Sequence, residues 1–223
     1  MKKRLWTILL LAYISLPAIS QDNSNNQNEY TTPSPEADKI DSVYQTISLE
    51  NFESSVFSNT NLKCSAASNR KCQLAVTDEF PAPEKNSQKY LKVTLFGNHH
   101  DIAVITPPDR IKISQYCKSI SIWAYGKNSP GVLSISLQDA EGQPHRLVMG
   151  RLDFTGWKKL TVAIPSEVAQ MDRYIHENTY LTLQTITYHP GSFALTPRYT
   201  FIYIDDISAT VRKKYLEKDQ NDW

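Results

Sequence analysis

The chain has 223 residues, and its 24 Lys and Arg nearly balance its 23 Asp and Glu. That length suits one sizeable domain with flexible ends. A net charge this small lacks the basic excess that grips phosphate backbones without sequence preference, so no nucleic-acid partner is expected.

Residues 1–20 read as a cleaved secretory signal peptide. Lys2, Lys3 and Arg4 form a basic start, Leu5 to Leu16 a short apolar run, and Ala18-Ile19-Ser20 the small residues ahead of a cut before Gln21. A membrane anchor needs about 20 apolar residues, whereas this run is shorter and ends at Pro17. No later run is long enough to span, so no membrane anchor is expected once the signal is removed. Gln21 in place of Cys argues against lipoprotein processing. Cleavage leaves 21 basic against 23 acidic residues, a net charge near −2.

Residues 21–42 are rich in Asn, Gln, Ser, Thr and Pro, with too little apolar surface to offset ordering entropy, and read as a disordered leader. From there to residue 211 the pattern is that of strands. The first is expected at Ile47 to Glu53, followed by an irregular stretch over 54–88 that holds Cys64, Cys72 and the loop Phe80-Pro81-Ala82-Pro83. Further strands are predicted at Tyr90 to Phe96, Ile102 to Ile105, Lys118 to Tyr125, Val132 to Gln138, His145 to Met149, Lys159 to Ile164, Tyr180 to Tyr188 and Tyr199 to Val211. The clearest are those in which Ile120, Ile122 and Ala124 alternate with Ser121, Trp123 and Tyr125, and Leu133, Ile135 and Leu137 with Ser134, Ser136 and Gln138. A period of two marks a strand with one face in a core. Turn signals such as Gly97-Asn98, Pro107-Pro108 and Glu141-Gly142 separate the strands. Many short strands at this spacing favour an all-β, antiparallel β-sandwich of jelly-roll type, with a charged tail over 212–223.

Candidate sites are few. An odd cysteine count in an exported chain favours one bridge. Cys64 and Cys72 bracket a polar, turn-prone stretch and are the expected pair; a bridge from either to Cys117, or three free thiols, are the alternatives. No cysteine or histidine spacing suggests zinc. His99-His100-Asp101 reads as a solvated loop. No nucleophile motif and no phosphate-binding glycine loop is present, and the chain has only seven glycines.

Asp205 and Asp206 interrupt an otherwise apolar strand. Strand neighbours point to opposite faces, so one carboxylate is expected to point inward, where it needs a partner. In this the segment is similar to jelly-roll carbohydrate-binding modules, whose last strand and acidic residues near the first strand hold a structural calcium. The likeness implies Ca²⁺ held by Glu50, Glu53, Asp205 and Asp206, an oxygen set that suits that ion. Hydrogen bonding to loop amides without metal is the alternative. A glycosidase would need two carboxylates facing one cleft about 5–9.5 Å apart, and adjacent strand residues point apart.

Trp123, Tyr125, Trp157, Tyr188 and Tyr203 could stack against sugars, although aromatics in a sandwich more often serve as core or interface. Trp123 and Tyr125 lie opposite Ile120 and Ile122, so that strand is apolar on both faces, which calls for a covering loop or a protein partner.

Trp123-Ala124-Tyr125-Gly126, Leu137-Gln138-Asp139, Gly150-Arg151-Leu152-Asp153-Phe154-Thr155-Gly156-Trp157, Ile164-Pro165, Gln170 and Tyr203-Ile204-Asp205-Asp206 resemble the outer-layer (sheath) protein of spirochaete periplasmic flagella, the FlaA family, in its smaller leptospiral-type form. The likeness covers roughly residues 85–211; before it, the Cys64–Cys72 stretch stands where a Trp-containing segment is expected. The resemblance implies a non-enzymatic periplasmic protein that coats the flagellin core, contacts other sheath proteins, and shapes filament curvature and stiffness for motility. Trp157 is then expected to anchor in the core with Phe154 on the same side, and Lys158 and Lys159 to be exposed for assembly. No cofactor is expected beyond the calcium. An exported carbohydrate-binding module is the alternative.

Overall fold

The computed structural model describes residues 43–54, 56–65, 72–84, 87–171, 181–191 and 195–213. The signal peptide, the leader and all but the first two residues of the charged tail lie outside them. Among the described residues, twelve strands form two antiparallel sheets: β1 (Tyr44–Glu50), β2 (Leu62–Cys64), β3 (Cys72–Thr77), β4 (Tyr90–Gly97), β5 (Ala103–Ile105), β6 (Ile111–Ile113), β7 (Cys117–Lys127), β8 (Val132–Gln138), β9 (Pro144–Arg151), β10 (Thr155–Ala163), β11 (Leu181–His189) and β12 (Arg198–Arg212). The front sheet runs β10-β7-β12-β4-β3 with β1 also on β12, and the back sheet runs β2-β5-β11-β8-β9 with β6 also on β11. This is the antiparallel β-sandwich that the alternation predicts.

The core lies between the sheets. Leu91, Val93, Leu95, Ile120, Ile122 and Ile204 of the front sheet are fully buried against Ile105, Leu133, Leu137 and Ile186 of the back sheet. Along β12 the buried set is Ile202 and Ile204, then Ile207, Ala209 and Val211. The change from even to odd numbers marks a bulge: the register with β7 shifts between Asp205 and Ser208, and Asp206 has φ 41°. One extra residue in a strand resets which side chains face the core.

The two sheets join at both lateral edges. On one side, Cys64 at the end of β2 and Cys72 at the start of β3 are joined by a disulfide that ties the back sheet to the front. On the other, β9 passes into β10 through residues 152–154, which are the middle of the Gly150 to Trp157 segment. Leu152 is buried in the core and donates its amide to Gly131 O at 2.8 Å; Phe154 O accepts from Asn128 N at 2.8 Å. Phe154 packs so closely on Gly126 that a Cβ there would sit 2.4 Å from Phe154 O, and Gly156 takes φ 91°, open to glycine at little cost.

Several boundaries differ from expectation. β1 ends at Glu50, because Phe52 turns inward with φ 58°, fully buried and packed on Phe57 at 5.2 Å. The stretch over 54–88 is not all irregular: β2 and β3 lie in it, and β6 was also unforeseen. Three-residue strands carry no legible period. β10 begins at Thr155 rather than Lys159, so Trp157 is a strand residue. Cys117 is free and buried at the start of β7, where burial pushes its thiol up to about 11. Gln170 clasps that residue's backbone, accepting from Cys117 N at 2.7 Å and donating to Cys117 O at 2.9 Å.

Cys64 and Cys72 are eight residues apart in sequence. A loop so short places the bridge near the lower end of the usual stabilisation. Replacing both by Ser should lower the unfolding free energy by about 2 kcal/mol, read as a lower urea midpoint with unchanged slope. An unchanged midpoint would mean that the bridge constrains nothing.

Candidate functional site: an aromatic sheet face under a strap

The outward face of the front sheet is a second apolar layer. Alternation puts Tyr199, Phe201 and Tyr203 of β12 on it, with Tyr125 opposite Tyr203, Trp157 opposite Tyr125, and Phe96 opposite Tyr199. Tyr90 and Tyr203 are buried as deeply as core residues. Tyr203 meets Tyr90 edge-on at 5.4 Å and Tyr125 at 5.7 Å, and Trp157 meets the same two rings at 5.3 and 5.4 Å. Edge-to-face contacts of this kind add to the stabilisation from area alone.

Part of this layer is covered by the connection from β3 to β4. Residues 78–84 cross it as a strap: Phe80 stacks on Tyr125 at 6.3 Å and meets Tyr203 at 5.7 Å. Four polar handles of the layer are used by the strap. Trp157 Nε1 donates to Pro81 O at 3.0 Å and Trp123 Nε1 to Glu84 Oε1 at 3.1 Å, while the Phe80 amide donates to the Tyr90 hydroxyl. Glu79 pairs with Lys92 at 2.7 Å and accepts from the Tyr203 hydroxyl at 3.3 Å. Burial, and then the Glu79 charge, push the Tyr203 phenol up to about 12, which keeps it a donor. The covering layer that the two-faced strand called for is thus a loop of the chain itself.

Beyond the strap, the chain is latched at the β12 bulge. The Ser87 hydroxyl lies 2.8 Å from Asp205 Oδ2 and 3.3 Å from Glu53 Oε1. Glu53 also accepts from the Gln88 and Lys89 amides, and those amides hold its carboxyl below the usual range. Asp205 is fully buried, with Oδ1 accepting from the Asp206 amide at 2.8 Å. Burial first, then the charges of Asp206 and Glu53, push its carboxyl up to about 7.

The four carboxylates assigned to calcium are therefore divided. Glu53 and Asp205 meet at Ser87; Glu50 accepts from the Phe52 amide at 2.7 Å and shapes that turn. Among the described residues no three His, Cys, Asp or Glu side chains converge as a metal site. Glu53 Oε1 accepts from two amides and a hydroxyl. Asp205 is buried under the strap rather than in the inter-sheet core: it follows Tyr199, Phe201 and Tyr203 on the outward face, and the bulge resets the alternation only after it.

Three further expectations change. Trp157 is a half-buried member of the outer layer, whereas Phe154 packs on the core side, so the two do not share a face. Tyr188 lies in the core and takes no part in the aromatic face. Asp101 is buried, accepting from Asn98 N at 2.8 Å. Lys158 and Lys159 are exposed on β10, an edge of the front sheet, with Lys159 6.0 Å from the Trp123 ring. Reasoning from sequence missed Ser87, Glu79 and Glu84; Phe80 and its prolines stood in a loop whose destination nothing local revealed.

Residues 110–219 match the family model of the flagellar filament outer layer protein FlaA. Over those residues the chain is similar to FlaA sequences. It is 34% identical over 87 residues to a flagellar filament outer layer-like protein of Brachyspira hyodysenteriae, covering 38% of this chain and 40% of that one. It is 39% identical over 54 residues to the flagellar filament outer layer protein of Treponema pallidum, covering 24% of this chain and 15% of that one. The chain thus spans less than half the length of either relative. Among solved structures, it is similar to carbohydrate-binding modules of the β-sandwich superfamily (TM-score 0.45, 16% identity, 72% of this chain and 60% of that one). It is also similar to the family 11 carbohydrate-binding module of a Clostridium thermocellum cellulase (TM-score 0.44, 9% identity, 77% and 98%). The FlaA match contains β6 to β12, and so most of the aromatic face and the bulge; the strap, the latch residues Glu53 and Ser87, and the disulfide all precede it.

Two outcomes follow. Trp157→Ala removes a half-buried ring, two edge contacts and one hydrogen bond, and should cost about 2–3 kcal/mol, below the upper end for a fully buried aromatic. A loss under about 1 kcal/mol in urea unfolding would place the ring outside any packed layer. Asp205 holds its proton in the fold between an unfolded value of about 4 and a folded value of about 7, so its contribution to stability falls as pH rises through that window. Glu53, shifted the other way, loses its contribution only on acidification. The difference in stability between Asp205→Asn and the parent chain should therefore move in favour of Asn from pH 5 to pH 8. A constant difference across that range would show that the buried carboxyl does not titrate there.

Proposed function

We propose that this chain is a non-enzymatic subunit of the outer layer of the spirochaete periplasmic flagellar filament. In this reading it is exported by its signal peptide, coats the flagellin core beside other sheath proteins, and contributes to filament curvature and stiffness. The observation that carries the reading is the FlaA match, which runs over β7, β10 and β12, three strands of the aromatic face. The geometry is in keeping with it. The paired acids Asp205 and Asp206 sit in a bulge, one of them buried and bonded to the other's amide, which suits packing rather than catalysis at an open cleft.

The carbohydrate-binding alternative draws less support. Four of the five rings proposed as a sugar platform belong to the front-sheet layer, where Trp123 and Trp157 give their N–H groups to the strap and Tyr203 gives its hydroxyl to Glu79. The fifth, Tyr188, is in the core.

The chain should co-sediment with detergent-washed periplasmic filaments, and a strain lacking it should keep a flagellin core but show altered filament curvature and motility. Lys158→Glu, on the exposed edge strand, should weaken that co-sedimentation while leaving the melting temperature within a few degrees. Filaments of unchanged shape in the deletion strain, together with wild-type protein free of them, would sink the sheath reading.

A further inference from the structure

The two broad faces of the sandwich carry charge of opposite sign. None of the six back-sheet strands, β2, β5, β6, β8, β9 and β11, contains an Asp or a Glu. Their outward positions carry cations among short side chains. In register across the sheet, Val148 lies opposite Ser134, Ser134 opposite Thr187, Thr187 opposite Val104, and Val104 opposite Lys63. Arg146, opposite Ser136 on the next rung, reaches back to that row: its Nε donates to the Ser134 hydroxyl at 3.2 Å, which pins the guanidinium to the sheet. Neither Arg146 nor Lys63 forms an ion pair with a described residue. Burial, and then the Arg146 charge, hold the His189 imidazole below its usual range, as a positive potential without a nearby anion does.

The strap on the opposite face is the reverse. Asp78, Glu79 and Glu84 are exposed around Phe80, whose side is itself 44% exposed. Glu79 has Lys92 as its partner, whereas Asp78 and Glu84 form no ion pair with a described residue; Glu84 accepts only the neutral Trp123 N–H. Burial, and then the Glu84 charge, raise the Asp206 carboxyl above its usual range, and Lys159 offsets only part of this. The strap is therefore an acidic ridge with a ring at its crest. Its charges and those of the back sheet are also similarly spaced. Six peptide steps separate Asp78 from Glu84, at most about 20 Å at roughly 3.3 Å per residue. Four strand spacings separate β9, which bears Arg146, from β2, which bears Lys63, about 19 Å.

We propose that the strap of one copy of the chain docks on the outward face of the back sheet of a second copy, with Asp78 and Glu84 directed at Arg146 and Lys63. The exposed edge of Phe80 lies on Ser134, Thr187 and Val148, small side chains that leave the face flat, and Val148, 58% exposed, is covered. Complementary potentials of this kind set the register of a contact and steer its formation. The face suits a protein surface better than a glycan. Tyr188 is the one Phe, Tyr or Trp in the six strands and it lies in the core, so no ring stands outward to stack on a sugar. Different patches on two copies make a heterologous contact, front to back, which propagates instead of closing into a dimer. The proposal deepens the sheath reading by naming a contact within the layer.

The test uses the purified chain lacking only residues 1–20, without filaments. Sedimentation velocity should show concentration-dependent association that weakens as salt rises. Lys63→Gln with Arg146→Gln disables the back face, and Asp78→Asn with Glu84→Gln disables the strap while keeping an acceptor for Trp123. Each pair should weaken self-association roughly tenfold or more at unchanged melting temperature. Mixed together, the two variants should form a one-to-one pair and stop there, because each keeps the face that the other lacks. Misfolding of either variant cannot produce that outcome. A monomer at every concentration, association indifferent to either pair of substitutions, or failure of the mixed variants to pair would overturn the proposal. So would a monomer that binds polygalacturonate through Arg146, which would give the basic face to an acidic glycan. Co-sedimentation with filaments, measured separately, would still decide the sheath reading.

Discussion

The front sheet is apolar on both faces, and much of the rest of the structure answers that constraint. β7 and β12 present Ile120, Ile122, Ile202 and Ile204 to the core, and Trp123, Tyr125 and Tyr203 to the other side. Large rings left in water would make such a face a site of uncontrolled association. The chain covers it with its own β3–β4 connection, which is held at both ends. The disulfide fixes the start of β3, and the Ser87 hydroxyl, shared by Glu53 and Asp205, fixes the return toward β4.

The bulge in β12 lets one strand serve both the latch and the core. A regular strand of fifteen residues would send Asp205 and Asp206 to opposite faces and throw Ile207, Ala209 and Val211 out of the core. The extra residue keeps all three inside and leaves Asp205 buried beneath the strap, where hydroxyl and amide donors partly offset the cost of desolvating a carboxylate. That offset is incomplete, which is why the carboxyl resists ionisation until near neutral pH. The buried carboxyl therefore contributes more to stability in mild acid than in mild base, although the Ser87 bond itself favours the ionised form.

The FlaA match and the strap belong to different parts of the chain. Residues 110–219 carry most of the rings, the bulge and the corner between β9 and β10; the residues before them carry the cover. The Gly150 to Trp157 segment owes its pattern to that corner. Leu152 plugs the core, Phe154 closes over Gly126, Gly156 turns the chain, and Trp157 emerges on the outer layer. A motif that looks like a site in one dimension is here a passage between two sheets.

Alternation alone determined the strands that make the core, because a period of two survives whatever the strand pairs with: Val132–Gln138 and the buried sets Ile120, Ile122, Ala124 and Leu133, Ile135, Leu137 were legible residue by residue. It also showed that β7 is apolar on both faces, and so that something must cover it. Only the tertiary structure decided what does. Phe80 and Ser87 lie far in sequence from Tyr203 and Asp205, and nothing local in an Asp-Glu-Phe-Pro-Ala-Pro-Glu loop says which surface it will cross. The division of the four carboxylates expected around one calcium has a related cause. Phe52 turns inward at φ 58° between Glu50 and Glu53, and an inserted residue in β12, with Asp206 at φ 41°, breaks the count in twos after Asp205. Periodic patterns record the environment of a strand, whereas a bulge, a latch and a strap depend on contacts between segments that sequence spacing does not encode.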